Sequence, residues 1–505
     1  MIPELPLDVI SIIMGNLKWT DSVALFHCAL TCRDWHSLAQ DYLPYSLELT
    51  SASQFDDLSH LMVRSGRRSH AGFVKFLRII AHLIPHVFGH SFKRIQTLNL
   101  QDIDWQTNPL LHPGFFTSMA QFNLVTHLGL YACRFCGLQD LRRILCAFPQ
   151  LETLTLDYIS WIPATRHPSS PGTILSNMSA CSARTLILSQ GYDRSMDCFS
   201  QADFLMLISK LLLSVEAVEL WITSTMDLSG ILILLRSFPC VTKLSVVELF
   251  QKPEHLQQMV LPPTSAPEPP IHRIQLAQLR LESDDTNFFA TSVECFIDAF
   301  APGGLTRLAI FHSGLATSLG CHLDMLMRTF GNSLESLTVI GSGIFEVAQL
   351  SLAPCTSLTS LSLDVWSDHT WHTLWKSVAE ILFHITSAQL QELWIRLDSG
   401  SRMEYLSDPD VAARFFDELD MLNVSGIDHV IDREKFSQLE LVEIQLGPFH
   451  ETGESTNHKV EAHVRRVFSA WDIWTSNAIT LMMRNIKRNP RRMILFGGGV
   501  FLLSP

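Results

Sequence analysis

The stretch LETLTL at residues 151–156 spaces its leucines by two residues and then by one, at Leu151, Leu154 and Leu156. Side chains two residues apart on a β-strand point to the same face, so Leu154 and Leu156 lie on one side of a strand. The residues that flank these leucines point to the opposite side. The spacing therefore predicts a short strand with one apolar, buried face.

The same order of apolar and other residues recurs twelve times from residue 95 onward. The central apolar residues of successive copies are 24 to 35 residues apart, apart from one step of 49. A period of this size indicates a solenoid of stacked repeats, because no single repeat buries its apolar face alone. The copies are Ile95/Leu98/Leu100, Val125/Leu128/Leu130, Leu151/Leu154/Leu156, Ala183/Leu186/Leu188, Val215/Val218/Leu220, Val241/Leu244/Val246, Leu276/Leu279/Leu281, Leu305/Leu308/Ile310, Leu334/Leu337/Val339, Leu358/Leu361/Leu363, Leu390/Leu393/Ile395 and Leu439/Val442/Ile444.

Apolar stretches of helical length lie between the strand patterns, so we expect strands and helices to alternate. A strand, a crossover and a parallel strand connect in a right-handed sense in nearly all known cases. We therefore predict a parallel sheet on the concave side of an arc, with helices outside. The helical stretches are 137–148, 204–213, 230–238, 288–300, 322–330 and 374–385.

This pattern resembles the leucine-rich repeat family, in an irregular variety whose units exceed the usual length of roughly 20 to 29 residues. The resemblance implies an α/β fold, and we place the leucine-rich-repeat-like solenoid at residues 95–450. Residues 451–505 are predicted to form a capping helix and tail. Within them, 458–486 has a helical apolar face that would close the last strand.

The amino terminus carries a different signal, LPLDVISIIMGNL at residues 5–17. Pro6 suits a first helical position because its missing N–H would have no partner there. Apolar residues then follow at three- and four-residue steps: Val9, Ile10, Ile13 and Leu17. A second helix is predicted from Thr20 or Asp21, with one apolar face formed by Leu25, Cys28 or Ala29, Cys32 and Trp35. Two short helices would offer more apolar surface than they cover, which predicts a docking site.

Together with Cys32-Arg33-Asp34-Trp35, this segment resembles an F-box. In that family the helical unit binds a Skp-type adaptor and so joins a substrate receptor to a cullin-based ubiquitin ligase. The resemblance implies an F-box at residues 1–45, followed by a linker and helical segment at 46–94. The adaptor-binding residues it implies are Leu5, Pro6, Val9, Ile10, Ile13, Leu17, Leu25, Cys32 and Trp35.

The F-box resemblance implies the substrate-receptor subunit of a Skp/cullin/F-box (SCF) ubiquitin ligase, whose solenoid binds a protein substrate. The alternative is a scaffold or protein-interaction solenoid outside any ligase, in which the amino-terminal helices only cap the fold. Binding to a Skp-type adaptor separates the two interpretations.

Residues that flank the buried anchors point to the predicted concave surface, where a substrate would bind. Interfaces gain most of their energy from buried Trp, Tyr and Arg, so such residues are the best candidates. The alternative is that they pack against neighbouring repeats. The predicted substrate-binding residues are Tyr131, Trp221, Arg280, Phe311, Trp394 and Arg396.

Composition narrows the partners and the compartment. Fifty acidic and 37 basic side chains give a net charge of −13, which disfavours binding to nucleic acid. Eleven cysteines without a framework spacing are typical of reduced thiols, so we expect a location in cytoplasm or nucleus. The start lacks the pattern of a secretory signal. The apolar residues 493–503 are shorter than the about twenty that cross a bilayer, so no membrane span is expected.

Few motifs in the sequence point to catalysis or metal binding. Cys133 and Cys136 form a C-x-x-C, but a zinc site needs two more ligands, and Cys133 falls where a leucine-rich repeat carries Asn or Cys. The chain has no G-x-S-x-G, G-x-G-x-x-G or P-loop motif. We therefore expect a binding protein rather than an enzyme, with no cofactor, metal or catalytic residue.

Overall fold

The computed structural model describes part of the chain, which divides into a first unit, Met1–Gln251, and a second unit, Lys252–Pro505. The described residues are 6–20, 24–25, 28, 32–42, 45–49, 51, 53–54, 56–57, 60, 74–79, 92, 94–105, 115–135, 138–161, 181–189, 208–222, 228–248, 273–312, 319–342, 350–366, 378, 380–398, 436, 438–446 and 479–481.

Two amino-terminal helices open the first unit: α1 (Leu7–Thr20) and α2 (Arg33–Tyr42). The carbonyl of Pro6 accepts the N–H groups of Val9 and Ile10 at 3.0 and 3.1 Å, so α1 begins at Leu7, and Pro6 precedes the first helical position instead of occupying it as predicted. The single second helix predicted through Trp35 is wrong. Residues 24, 25 and 28 are helical, Cys32 is not, and α2 begins after it. Apolar spacing alone marks no break in a helix, which explains the error.

A parallel sheet forms the body of the first unit, with strand order β1-β2-β3-β4-β6-β8-β9-β10. The short strands β5 and β7 pair separately. The strands are β1 (Tyr45–Leu49), β2 (Val74–Ile79), β3 (Thr97–Gln101), β4 (His127–Tyr131), β5 (Arg134–Phe135), β6 (Thr153–Asp157), β7 (Ser160–Trp161), β8 (Thr185–Ser189), β9 (Ala217–Ile222) and β10 (Lys243–Glu248).

The second unit repeats this architecture, with its seven described strands paired in chain order and in parallel. They are β11 (Gln278–Ser283), β12 (Arg307–His312), β13 (Ser336–Ser342), β14 (Ser360–Trp366), β15 (Glu392–Asp398), β16 (Leu441–Leu446) and β17 (Ile479–Leu481).

Helices connect the strands, as the apolar stretches between the repeats predicted. In the first unit they are α3 (Phe115–Met119), α4 (Leu138–Cys146) and α5 (Leu228–Ser237), and in the second α6 (Thr286–Ala299) and α7 (Leu319–Phe330). The Asp285 carboxylate starts α6 by accepting the N–H groups of Asn287 and Phe288. Helix α7 ends in a 3₁₀ turn at Gly331–Ser333.

All twelve repeat patterns lie on strands β3, β4, β6 and β8–β16, which confirms the predicted α/β leucine-rich-repeat fold class. The central anchors are register partners, as in Leu128 opposite Leu154 and Leu337 opposite Leu361. The central anchors of the first eleven repeats are buried on the face of the sheet that packs against the helices. The opposite face carries the half-buried side chains and is called the open face below.

Two predictions for the flanks of the solenoid need correction. Residues 46–94 were predicted as a linker with a helical segment. Residues 53–54, 56–57 and 60 are helical, but the range also contains most of β1 and all of β2, which extend the first sheet. At the other end, Ile479–Leu481 pairs with β16 as a strand instead of continuing a capping helix. The rest of the predicted helix at 458–486 lies outside the described residues.

Hydroxyl groups link several repeats to the repeat before them. In the first unit, Ser182 Oγ donates to the Leu151 carbonyl at 3.0 Å and Ser214 Oγ to the Cys181 carbonyl at 3.2 Å. In the second, Ser333 Oγ donates to the Leu305 carbonyl at 2.7 Å. These bonds satisfy carbonyls in the turns that the parallel ladder leaves without a backbone partner.

Candidate protein-binding surfaces

The amino-terminal helices have a small core of their own. Ile10 and Met14 of α1 pack with Leu25 and with Ala39 of α2, and all four are buried. Residues packed around this core come from the same segment: Leu17, Cys28, Trp35, Leu38 and Tyr42. The Ser11 and Tyr42 hydroxyls, 2.6 Å apart, add a hydrogen bond between the two helices. The helices are therefore held together largely by their own side chains.

The outer side of α1 leaves apolar side chains in water. Val9 is 40% exposed, Ile12 66% and Ile13 37%, and Pro6 is exposed beside them. These four residues are called the α1 patch below. Apolar side chains clustered on one surface favour burial against another molecule. The patch supplies an interaction surface that the local fold does not use.

The nine predicted adaptor-binding residues fall into different environments. Pro6, Val9 and Ile13 belong to the α1 patch, and Cys32 is also exposed. Ile10 and Leu25 are buried in the helical core, so they support the surface but are not available for contact. Leu17 and Trp35 are half-buried against that core, and Leu5 lies outside the described residues. Ile12, the most exposed residue of the patch, was missed because it lies beside the predicted stripe.

A second candidate surface is the open face of the strands, where all six predicted substrate-binding residues are half-buried. Tyr131 and Trp221 lie on strands β4 and β9 of the first unit. Arg280, Phe311, Trp394 and Arg396 lie on β11, β12 and β15 of the second. The predicted set is therefore divided between two surfaces, and each is described by itself.

On the first unit, the two aromatic residues are each held against their own strand. The indole N–H of Trp221 donates to Glu219 Oε1 at 2.7 Å. The ring of Tyr131 lies over Gly129, where a Cβ would collide with the ring and with the Asn99 amide oxygen. Gly129 is therefore required for the position of Tyr131. Arg78 of β2 donates to Gln101 Oε1 at 2.9 and 2.6 Å nearby.

Asp157 lies on strand β6, between the strands that carry these rings, and it was not among the predicted site residues. Burial is the main cause that raises the pKa of its carboxyl, and hydrogen bonds from the Ser189 side chain and the Tyr158 backbone act in the opposite direction. One oxygen, Oδ1, is buried without a hydrogen-bond partner. Burial and then the Asp157 charge raise the pKa of Tyr131, against a lowering effect of Arg78.

On the second unit, the charged residues of the open face neutralise one another. Arg280 and Glu282, two residues apart on β11, form an ion pair of 2.6 Å. The Arg280 guanidinium also lies 4.4 Å from the centre of the Phe311 ring on β12. Arg396 of β15 contacts Asp364 of β14 at 3.4 Å. Trp394 lies opposite Ser362 on the same face.

Cys133 has the structural role that its repeat position predicted. It follows Ala132, whose φ of 50° turns the chain sharply after β4, and its side chain is buried. The thiol lies 3.7 Å from the Leu100 carbonyl and 3.4 Å from that of Tyr131. Burial raises its pKa to about 12, so the thiol stays protonated. Cys136, the other member of the C-x-x-C, lies outside the described residues.

Among the described residues, no group of three or more His, Cys, Asp or Glu side chains is placed to hold a metal ion. Within the same part of the chain, no helix is both long enough and apolar enough to span a membrane.

Comparisons with known proteins define no family for this chain. No model of a known protein family matches the chain, and no curated protein matches it. The leucine-rich repeat-containing protein LegL7 from Legionella pneumophila is 13% identical with a TM-score of 0.34, covering 74% of this chain and 91% of LegL7. Rad7, solved in complex with Elc1 from yeast, is 11% identical with a TM-score of 0.28, covering 96% and 99%. The fold assignment rests on the strand order and register.

Proposed function

We propose that this protein is the substrate-receptor subunit of an SCF ubiquitin ligase, acting in the cytoplasm or nucleus. In this role the α1 patch binds a Skp-type adaptor, and through it a cullin, while the open face of the repeats binds a protein substrate. The chain contributes binding, and ubiquitin transfer takes place on other subunits of the assembly.

The observation that carries the proposal is the α1 patch itself. One side of α1 is already filled by the helical core, yet Val9, Ile12 and Ile13 remain on its other side. Transfer of apolar surface out of water is favourable by about 25 cal/mol per Å², so these side chains would contribute to binding another protein. Their position in an LPLDVISII segment that resembles an F-box names the class of partner.

The alternative, in which the helices only cap the solenoid, requires the outer apolar side of α1 to be buried against the repeats. In the described part of the chain, the core around Ile10 and Met14 and the residues packed on it all come from positions 10–42. The α1 patch stays outside that core. This arrangement favours an external partner over a capping role.

The test is capture of a purified Skp-type adaptor by the full chain carrying Val9→Asp and Ile13→Asp. A carboxylate at each position would have to be desolvated in the interface, so we expect affinity to fall at least about tenfold. Both side chains point away from the helical core, so the temperature of unfolding should change little. Ile233→Asp on α5 is the matched control, because Ile233 is also an apolar helical residue, 39% exposed.

Adaptor capture that survives Val9→Asp and Ile13→Asp would contradict the proposal, as would an equal loss in the Ile233→Asp control. If the proposal holds, the double variant also becomes a trap for substrates. It should retain bound proteins through the open face while their ubiquitination in a reconstituted ligase falls.

A further inference from the structure

Four strands of the first unit bring Tyr131, Asp157, Ser189 and Trp221 into one row on the open face. Tyr131 is the register partner of Asp157, Asp157 of Ser189, and Ser189 of Trp221. Neighbouring strands are about 4.8 Å apart, so the two aromatic residues are separated by about 14 Å along the row. Between them lie a carboxylate and a small hydroxyl residue.

The carboxylate in this row has no cationic partner. Asp157 forms no salt bridge with any described residue, and its Oδ1 is buried without a hydrogen-bond donor. Arg78, the basic residue that influences neighbouring Tyr131, is engaged by Gln101. A carboxylate charge that is largely buried without a counter-charge is costly to the free protein, and a cation placed over the carboxylate from outside would offset that cost without contacting Oδ1.

The aromatic residues of the row also favour a basic side chain. Electron-rich ring faces attract Lys and Arg side chains within about 6 Å of the ring centre. Tyr131 lies on the strand next to that of Asp157, so its ring is the nearer of the two to a cation that faces this carboxylate, and Trp221 lies two strands away. The bond from the Trp221 indole to Glu219 keeps a second carboxylate beside that ring, and Gly129 gives the Tyr131 ring its place. An acidic side chain or a phosphate would instead meet Asp157 and Glu219, and an apolar side chain would leave the Asp157 carboxylate without a counter-charge.

We propose that the row of Tyr131, Asp157, Ser189 and Trp221 binds a Lys or Arg side chain of a protein partner, with the cation facing Asp157 between the two aromatic residues. This inference deepens the proposed function, on which it rests for the kind of partner, by naming a basic residue as the feature of the substrate that the first unit recognises. The net charge of −13 favours approach of the same class of protein.

The experiment is selection from a random peptide library on the immobilised full chain, with parallel selections on Asp157→Asn and Trp221→Leu. The unchanged protein should enrich peptides containing Lys or Arg. Their affinity should fall at least about fivefold when the basic residue is replaced by citrulline or norleucine. Asp157→Asn should remove most of that preference, and Trp221→Leu, two strands away, a smaller part of it.

Asp364→Asn is the matched control, because this carboxylate lies on the open face of the second unit and is already paired with Arg396. It should leave the preference for basic residues unchanged. Enrichment of acidic or apolar residues, no enrichment, or equal enrichment on Asp157→Asn would overturn the inference. Adaptor capture by the unchanged protein separates the two proposals, because capture depends on the α1 patch and basic enrichment depends on the row. In the unchanged protein, intact capture without basic enrichment contradicts only the inference, and enrichment without adaptor capture contradicts only the proposed ligase role.

Discussion

Both units have an open face built on parallel strands, but the carboxylates on the two faces have different partners. In the second unit, Glu282 and Asp364 are each paired with an arginine of the same face. In the first unit, Glu219 accepts from an indole, and Asp157 from a hydroxyl and a backbone N–H, without a cation. The buried anchors on the other side maintain the fold in both units. The open-face residues are therefore free to differ, and among the described residues of the first unit no cationic side chain pairs with Asp157.

The largest effect is expected from removing one central anchor in each unit. Leu154→Ala in the first and Leu361→Ala in the second each delete a fully buried side chain, which should lower the free energy of unfolding by about 2 to 5 kcal/mol. Repeats couple mainly to their neighbours, so each substitution should act mostly on its own unit.

One buried thiol in each unit makes that experiment specific. Burial raises the pKa of Cys133 and Cys355 to about 12, so at pH 8 both should react with an alkylating reagent only after local unfolding. Mass spectrometry after alkylation across a denaturant series should show Leu154→Ala exposing Cys133 earlier, and Leu361→Ala exposing Cys355 earlier. Equal shifts of both thiols in both variants would show that the units unfold together.

A smaller loss of stability is expected from removing Arg280, which is paired with Glu282 on the open face of the second unit. Arg280→Met removes the 2.6 Å pair with Glu282 and the contact with the Phe311 ring, so unfolding should become easier by about 1 to 3 kcal/mol in chemical denaturation. Arg307→Met on the next strand is the control, because Arg307 is exposed. A cost for Arg280→Met no greater than for this control would mean that the paired face contributes nothing to stability.

The smallest effect should have the opposite sign, at Asp157. Because burial raises its folded pKa above the unfolded value near 3.8, the charged carboxylate destabilises the folded protein at neutral pH. The penalty fades as pH falls through the raised pKa and is gone below the unfolded one. Asp157→Asn should therefore unfold at a slightly higher temperature at pH 7, with the difference vanishing near pH 3. Groups in contact with this carboxyl are Tyr131, Ser189 and the Tyr158 N–H, and Arg78 acts through Tyr131.

Asp364→Asn serves as the mirror of that experiment, since it removes the partner of Arg396 and should destabilise the protein. Two variants with the same chemical change and opposite shifts in unfolding temperature would establish the difference between the faces. Destabilisation by Asp157→Asn would instead mean that this carboxylate is satisfied.

The regular part of the fold could be predicted from sequence because each repeat places three apolar anchors at constant spacing. Five described strands lie outside the twelve repeat patterns, and two of them, β1 and β2, were missed for specific reasons. In β1, Leu47 and Leu49 hold the last two anchor positions, but Pro44 stands at the first. In β2, the pattern is complete at Val74, Leu77 and Ile79, but it lies inside the stretch that was predicted as a linker and helical segment. Pairing with neighbouring strands places both segments in the sheet. This is a tertiary effect, which the local spacing of apolar residues does not reveal.

The open-face contacts could be predicted only in part. Arg280 with Glu282 and Trp221 with Glu219 are two residues apart on one strand, so alternation alone places each pair on the same face. Arg396 with Asp364, and the row through Asp157, depend on the register between strands. Asp157 was not among the predicted residues because the prediction favoured aromatic residues and arginine. What distinguishes Asp157 is the lack of a cationic partner among the described residues, which the sequence does not reveal.

The serine and threonine hydroxyls that bond backward to the preceding repeat give the array a direction. Each such repeat carries its donor at its start and presents an acceptor carbonyl to the next, as Thr306 and Ser333 do in turn. A gene segment that encodes one repeat could thus be duplicated in tandem. The new repeat would still find an acceptor carbonyl before it and a hydroxyl donor after it. This offers a structural route by which such a protein could lengthen during evolution while its older surfaces stay intact.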